Sequence, residues 1–214
     1  FLMLSQLGIP TYGIRACAKV RDDRRKLSRV VHELMAINLV MSLLSYLALG
    51  IFVFAIPRLR AESSLIFIIS LTILLNAVGM EWLYKALEQY TYITIRSVIF
   101  KAIAVVAMLL LIRQQSDYVV YGALTILAAS ASNVCNFVHA HTYIDLFPEE
   151  KYNYRQHMKP ILVFFAMSCA TVIYTNLDTV MLGLMKNNVD VGYYNAAVKI
   201  KGILVGIVTS LGTV

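Results

Sequence analysis

Charge is scarce in this sequence. Only 14% of its 214 residues are Asp, Glu, Lys or Arg, while 59% are hydrophobic. Soluble domains carry about 25% charged and roughly 45–50% apolar residues. The shortage excludes a water-soluble globular fold, whose surface needs more charge than this chain holds. Cysteine is nearly absent as well. Cys17, Cys135 and Cys169 stand alone, with no CxxC spacing. That excludes a disulfide framework and a cysteine metal cluster, and leaves three small packing residues. No GxSxG, HExxH or phosphate-loop pattern occurs, and the polar gaps are short. A membrane polymerase or ligase would bring a sizeable soluble loop with acids or histidines, so the chain does not read as an enzyme.

What is present is a rhythm of long apolar runs and short polar gaps. A bilayer core about 30 Å thick takes about 20 apolar residues per crossing. Six runs qualify, at 34–56, 65–83, 93–112, 119–143, 161–185 and 193–214, and 1–14 resembles the end of a seventh. The chain opens on Phe1 rather than Met and stops within an apolar run, so it reads as a fragment of a longer polytopic protein. The expected fold class is all-α, a polytopic integral membrane protein.

Basic residues occupy every second gap. Arg15, Lys19, Arg21, Arg24, Arg25, Lys26 and Arg29 come first, then Lys85, Arg96 and Lys101, then Lys151, Arg155 and Lys159. The intervening gaps hold only Arg58, Arg60, Arg113 and Lys186. The basic side is cytoplasmic, so the first complete span runs outward and the last inward. This asymmetry also explains the net charge of +7. The run RDDRRKLSR, 21–29, is interrupted by Asp22 and Asp23 and joins two spans. It fits anionic lipid head groups, not nucleic acid. Trp82, Tyr84, Tyr90, Tyr92, Tyr152, Tyr154, Tyr193 and Tyr194 sit near span ends, as interfacial aromatics do.

The segment DLFPEEKYNYRQHMKP, 145–160, is the most polar stretch of the second half and is bracketed by Pro148 and Pro160. It is long for a connection between packed helices. It divides the chain into an N-terminal bundle (1–147), a cytoplasmic linker (148–160) and the start of a second bundle (161–214).

Charges inside the spans point to function, because a carboxylate in the bilayer costs about 2.5–3.5 kcal/mol on insertion scales. Asp178 lies about 27 Å along its helix from Pro160. Thr171, Tyr174 and Thr175 share its face. On the final span Asn195, Lys199, Gly202, Gly206, Thr209 and Thr213 recur at helical spacing, while Lys201 points elsewhere. The two helices are expected to be antiparallel neighbours, with Asp178 and Lys199 at comparable depth and able to pair. Two readings stand: a structural ion pair, or a water-filled transport cavity. Asn76 and Asn136 extend polar faces of two earlier spans, the latter with Ser132 and His139. These seven residues, Thr171, Tyr174, Asp178, Asn195, Lys199, Asn76 and Asn136, are the lumen candidates. Glu81, Lys85 and Glu88, spaced for helical ion pairs, join Arg15 and Arg96 as cytoplasmic-gate or interface candidates. His139 and His141 fall on different helix faces with no third ligand, so no metal is expected. No cofactor is expected.

Three segments resemble a known family. LGIPTYGIRACAKVRDDRRKLS (7–28), EWLYKALEQYTYITIRSVIFK (81–101) and LDTVMLGLMKNNVDVGYYNAAVKI (177–200) are similar, in order, to helix junctions of bacterial polysaccharide flippases. These are the O-antigen (Wzx-type) and capsular repeat-unit exporters of the multidrug/oligosaccharidyl-lipid/polysaccharide superfamily. The resemblance implies a transporter fold of two six-helix bundles, present here in part from late helix two to helix eight. Ser5-Gln6-Leu7-Gly8 echoes Thr209-Ser210-Leu211-Gly212, as repeat-equivalent helices would. One departure is Ala16-Cys17, where many relatives carry an acid shortly after the arginine. The resemblance implies a flippase for undecaprenyl-diphosphate-linked oligosaccharide in the bacterial inner membrane, working by alternating access with an ion gradient as a plausible drive. Implied partners are that lipid-linked oligosaccharide, membrane lipids, and polysaccharide polymerase and chain-length proteins. The alternatives are a cation-coupled multidrug exporter of the same superfamily and a polymerase or ligase acting on lipid-linked sugars.

Overall fold

The structure, a computed structural model, describes residues 1–57, 60, 63–114, 117–145, 152–186 and 188–212, with the backbone alone at 64, 188 and 207–212. Arg58, Pro148, Lys151 and Thr213 lie outside the described residues, as do the side chains of Thr209, Ser210 and Leu211.

The chain begins with a broken helix. Helix α1 (Leu2–Gln6) stops where Leu7 takes φ 45°, and α2 (Ile9–Ala18) restarts with proline in its first turn. Proline suits that place, because its missing N–H has no intrahelical partner there. Asp23 then caps α3 (Arg24–Ala55): its Oδ1 accepts from the N–H groups of Arg25 (3.1 Å) and Lys26 (3.2 Å). The Lys26 ammonium, helped by these backbone bonds, holds the Asp23 carboxyl below the usual carboxylate range. Along α3, Leu27, Val31, Leu34, Asn38, Ser42 and Ser45 repeat every three or four residues and are buried. The opposite face exposes Leu43, Leu47 and Ile51. Water would penalise such a face; lipid does not.

Helix α4 (Ser63–Gly79) and the short α5 (Glu81–Ala86) form one interrupted span, broken where Met80 turns left-handed at φ 42°, ψ 34°. Helix α6 (Tyr90–Leu111) buries only Arg96 and Ala104 and shows Ile99, Ile103, Val106 and Leu110 outward. Next come α7 (Tyr118–Ile126), a π-helical turn (Leu127–Ala131) and α8 (Ser132–Ala140), which together make one more span. Ser130, Ser132, Asn133 and Asn136 of this span are all buried. Helix α9 (Arg155–Met185) contains Pro160, and α10 (Asn188–Gly212) ends the described chain.

Five helical segments among the described residues are long and apolar enough to cross a membrane: Arg24–Ala55, Leu65–Ala86, Tyr90–Leu111, Tyr118–Ala140 and Arg155–Met185. They coincide with five of the six expected runs. The sixth, 193–214, falls on α10 and extends past the described residues. The fold is all-helical among the described residues, and the chain is a multi-pass membrane protein. One boundary differs from expectation. Helix α9 starts at Arg155, ahead of Pro160, which sits in its second turn and cannot donate the bond to Gln156 O that the ladder would have there.

Two compact units are present, Phe1–Ala166 and Met167–Val214. The first holds the core, with Ile9, Val31, Leu34, Leu83 and Ile161 fully buried. Gly13 lies against the Trp82 ring, where a Cβ would stand 2.8 Å from it. In the second unit no described residue is buried. There, a Cβ on Gly183 would lie 3.9 Å from Val191 Cγ2.

Candidate intramembrane polar site

The interruption at Met80 creates the site. A left-handed residue inside a span releases carbonyls that the next turn would have bonded, and lipid offers no replacement donor. Two asparagines supply it. Asn38 Nδ2 donates to Ala77 O at 3.1 Å, and Asn136 Nδ2 donates to Gly79 O at 2.6 Å. Tyr84 Oη in turn donates to Asn136 O at 2.6 Å. Asn133 Nδ2 donates to Asn76 Oδ1 at 2.7 Å. Gly79 permits this approach, because a Cβ there would sit 2.5 Å from Asn133 Cγ.

Beside the break lies a polar cavity of about 250 Å³, lined by Gln6, Pro10, Asn76, Gly79, Glu81, Trp82, Lys85 and Asn133. Glu81 and Lys85 pair across one turn of α5 at 2.8 Å. Arg96, only 6% exposed, reaches to within 4.0 Å of Glu81, donates to Ser132 O at 3.1 Å and lies 5.8 Å from the Tyr92 ring centre. Tyr92 also stacks on His139 at 4.7 Å. Several buried polar atoms in this interior have no hydrogen-bond partner among the described residues: Asn38 Oδ1, Ser42 Oγ, Ser45 Oγ, Asn136 Oδ1 and Arg96 Nε. Each costs about 1–3 kcal/mol if it stays unpaired. Such an interior suits a hydroxyl-rich or hydrated guest.

The structure brings Asn76, Asn136, Glu81, Lys85 and Arg96 together. Glu88, with φ 58°, instead turns to Arg21 at 2.6 Å, tying two connections together. Arg15 is exposed on α2, beside a different cavity. In the second unit Thr171, Tyr174, Asp178, Asn195 and Lys199 are all exposed. Thr171 Oγ1 bonds back to Met167 O at 3.0 Å. The expected Asp178–Lys199 pairing is corrected: Asp178 Oδ2 accepts from Tyr194 Oη at 3.0 Å, and no Asp178–Lys199 pair occurs among the described residues. The hairpin register explains this. With Gly183 near Val191 and Asp178 near Tyr194, Lys199 falls level with Tyr174, roughly one turn from Asp178.

Sequence reasoning missed a second buried cluster. Glu33 is fully buried and takes Arg29 Nε (3.1 Å), Gln156 Nε2 (2.9 Å), His157 Nε2 (2.6 Å) and the Asn153 N–H. His157 Nδ1 meets Tyr12 Oη at 2.8 Å. Only the Arg29–Glu33 spacing is visible in the sequence; the other partners lie more than a hundred positions away.

Interrupted spans, a lipid-facing exterior and a polar interior define a multi-pass membrane protein with an intramembrane polar site. A family model described as "Polysaccharide biosynthesis protein" matches residues 1–214, and the chain belongs to that family. It serves polysaccharide synthesis and transport. No curated protein and no solved structure matches the chain.

Proposed function

We propose that this protein is a flippase rather than an enzyme, carrying undecaprenyl-diphosphate-linked oligosaccharide from the cytoplasmic to the periplasmic leaflet of a bacterial inner membrane. The observation that carries this reading is the polar cavity at Asn76, Glu81, Lys85 and Asn133, inside a unit whose outer faces are aliphatic. The barrier to flipping is the head group. An unpaired hydroxyl costs about 4–8 kcal/mol in a medium that cannot hydrogen-bond. Asparagine amides and the Glu81–Lys85 pair offer both donors and acceptors to sugar hydroxyls, while the polyprenyl tail stays in lipid.

In this reading the bundle 1–147 and the one beginning at 161 rock about the linker 148–160, exposing the site to each face in turn. Asp178, Tyr174, Thr171, Asn195 and Lys199 are the second bundle's polar candidates in this reading. An ion gradient supplies the drive, and polymerase and chain-length proteins receive the product.

The test is complementation of a deletion strain, scoring surface polysaccharide. Asn76→Leu and the double substitution Glu81→Gln, Lys85→Met are expected to reduce export at least tenfold while membrane insertion persists. Wild-type export by both would overturn the reading. Normal polysaccharide in the deletion strain with lost drug efflux would assign the chain to multidrug export.

A further inference from the structure

Glu81 stands between two cations of different kinds. Its Oε1 takes Lys85 Nζ at 2.8 Å, a full ion pair across one turn of α5. Its Oε2 is 4.0 Å from Arg96 Nη2, too far for a hydrogen bond. Glu81 and Lys85 both line the cavity beside the Met80 break, and Arg96 does not. Arg96 approaches Glu81 from behind, on α6, and its Nη1 donates to Ser132 O of α8 at 3.1 Å.

Burial decides which of the three side chains can move. Lys85 and Glu81 are 40% and 41% exposed and are free to turn. Arg96 is buried, anchored on Ser132 O and packed beside the Tyr92 ring. A buried guanidinium standing off its carboxylate is incompletely compensated. Its Nε also has no partner among the described residues. Arg96 therefore has donors left for a second acceptor. The cavity's own cation has no such reserve, because Glu81 already neutralises Lys85. An anion entering the cavity would meet the Glu81 carboxylate beside Lys85, and like charges repel. Moving Oε2 by roughly 1 Å removes the conflict, since it closes the gap to Arg96 to about 2.8 Å, a charge-assisted bond.

We propose that Arg96 is a positioning residue for this cavity: a diphosphate diester takes Lys85, and Glu81 turns from Lys85 to Arg96, which holds it away from the anion. The proposal rests on the reading of the cavity as the substrate site. Arg96 touches no substrate and acts only through Glu81. Its other nitrogen holds Ser132 O, so the turn of Glu81 ties α5 to α6 and α8 at the moment the cavity fills.

A double-mutant cycle on the full-length protein in neutral detergent tests this. The probe is dimethyl diphosphate, esterified once on each phosphorus, and its affinity is read by calorimetric titration at fixed pH and salt. Lys85→Met should weaken binding by about tenfold or more, the loss of one charge-assisted contact. Glu81→Gln should tighten it, because Lys85 loses its competitor. Arg96→Gln should weaken binding by about fivefold while Glu81 is present, and should have no effect once Glu81 is Gln. A merely structural Arg96 would weaken binding equally in both backgrounds, and that result overturns the proposal. So does wild-type affinity in Lys85→Met, or a wild-type protein that does not bind the probe. Where Arg96→Gln does not fold, the same cycle is read with Arg96→Lys. That variant keeps the charge and loses the planar fork that serves Ser132 O and Glu81 from separate nitrogens. The titration involves no transport, so the two readings fail separately. Export lost in Asn76→Leu, with no coupling in the cycle, removes the role of Arg96 and leaves the flippase standing. Coupling in the cycle, with wild-type export by the cavity variants, does the reverse.

Discussion

Glu33 shows what one buried carboxylate does at the end of a span. Its side chain is fully buried, and four donors converge on its two oxygens. Glu33→Leu would strand Arg29, Gln156, His157 and the Asn153 N–H together. Each buried donor left unpaired costs about 1–3 kcal/mol, more where it is charged. The expected result is a large fall in thermal midpoint in detergent, with Glu33→Gln falling less because it keeps one acceptor oxygen. Adding His157→Phe to Glu33→Leu should recover part of the loss, since apolar replacement of a whole buried pair is far milder than breaking it. Equal midpoints for wild type and Glu33→Leu would show that the network contributes nothing to stability. In the sequence Glu33 sits one position before the expected span and passes for a solvated loop charge. The same limit explains the misplaced Asp178–Lys199 pair. A partner across a hairpin depends on where the turn falls, and one helical turn of error replaces Tyr194 by Lys199.

At the scale of elements, apolar runs made the spans legible, because lipid imposes length and composition on every crossing. Breaks inside spans were not legible. Met80 adopts a left-handed conformation without being glycine, and only its neighbours, Asn38 and Asn136, explain why the break is tolerated. The gap at Leu7 and Gly8 is similar, and it places α2 against α9. A Cβ on Gly8 would lie 2.4 Å from Ile161 O and 2.6 Å from Phe165 N. Both are backbone atoms, so relief requires moving a helix. Gly8→Ala is therefore expected to destabilise by about 1–3 kcal/mol, the usual cost of overpacking. Gly50, within α3, has nothing within 4 Å of its Cβ position. Gly50→Ala should stabilise by about 0.5–1 kcal/mol through helix propensity. Chemical-denaturation midpoints of the two variants, measured in one detergent, should move in opposite directions. A shift of the same sign for both would mean that α9 does not approach Gly8 this closely.

For the molecule as a whole, two observations bear on orientation. One is the alternation of basic gaps. The other is contact between connections. Arg21 in the α2–α3 turn pairs with Glu88 in the α5–α6 turn at 2.6 Å. Arg24 pairs with Asp145 at 2.8 Å and also donates to Thr142 O and His141 O after α8. Ser28 Oγ accepts from the Asp145 N–H at 2.8 Å. Exposed pairs like these add little stability. Their value is geometric: connections that touch lie on one side of the membrane. They are the basic connections, so the positive-inside rule predicts that their common side is the cytoplasm. The α6–α7 connection, with Arg113 and Gln114, must then lie outside. Cysteine scanning tests this, with Cys17, Cys135 and Cys169 first replaced by alanine. A membrane-impermeant maleimide applied to spheroplasts should label Gln114→Cys and leave Lys19→Cys and Tyr152→Cys unlabelled until the membrane is opened. Labelling of Lys19→Cys before opening, with Gln114→Cys protected, would invert the chain. It would also place Arg15, Lys19 and the cavity beside them on the outer face.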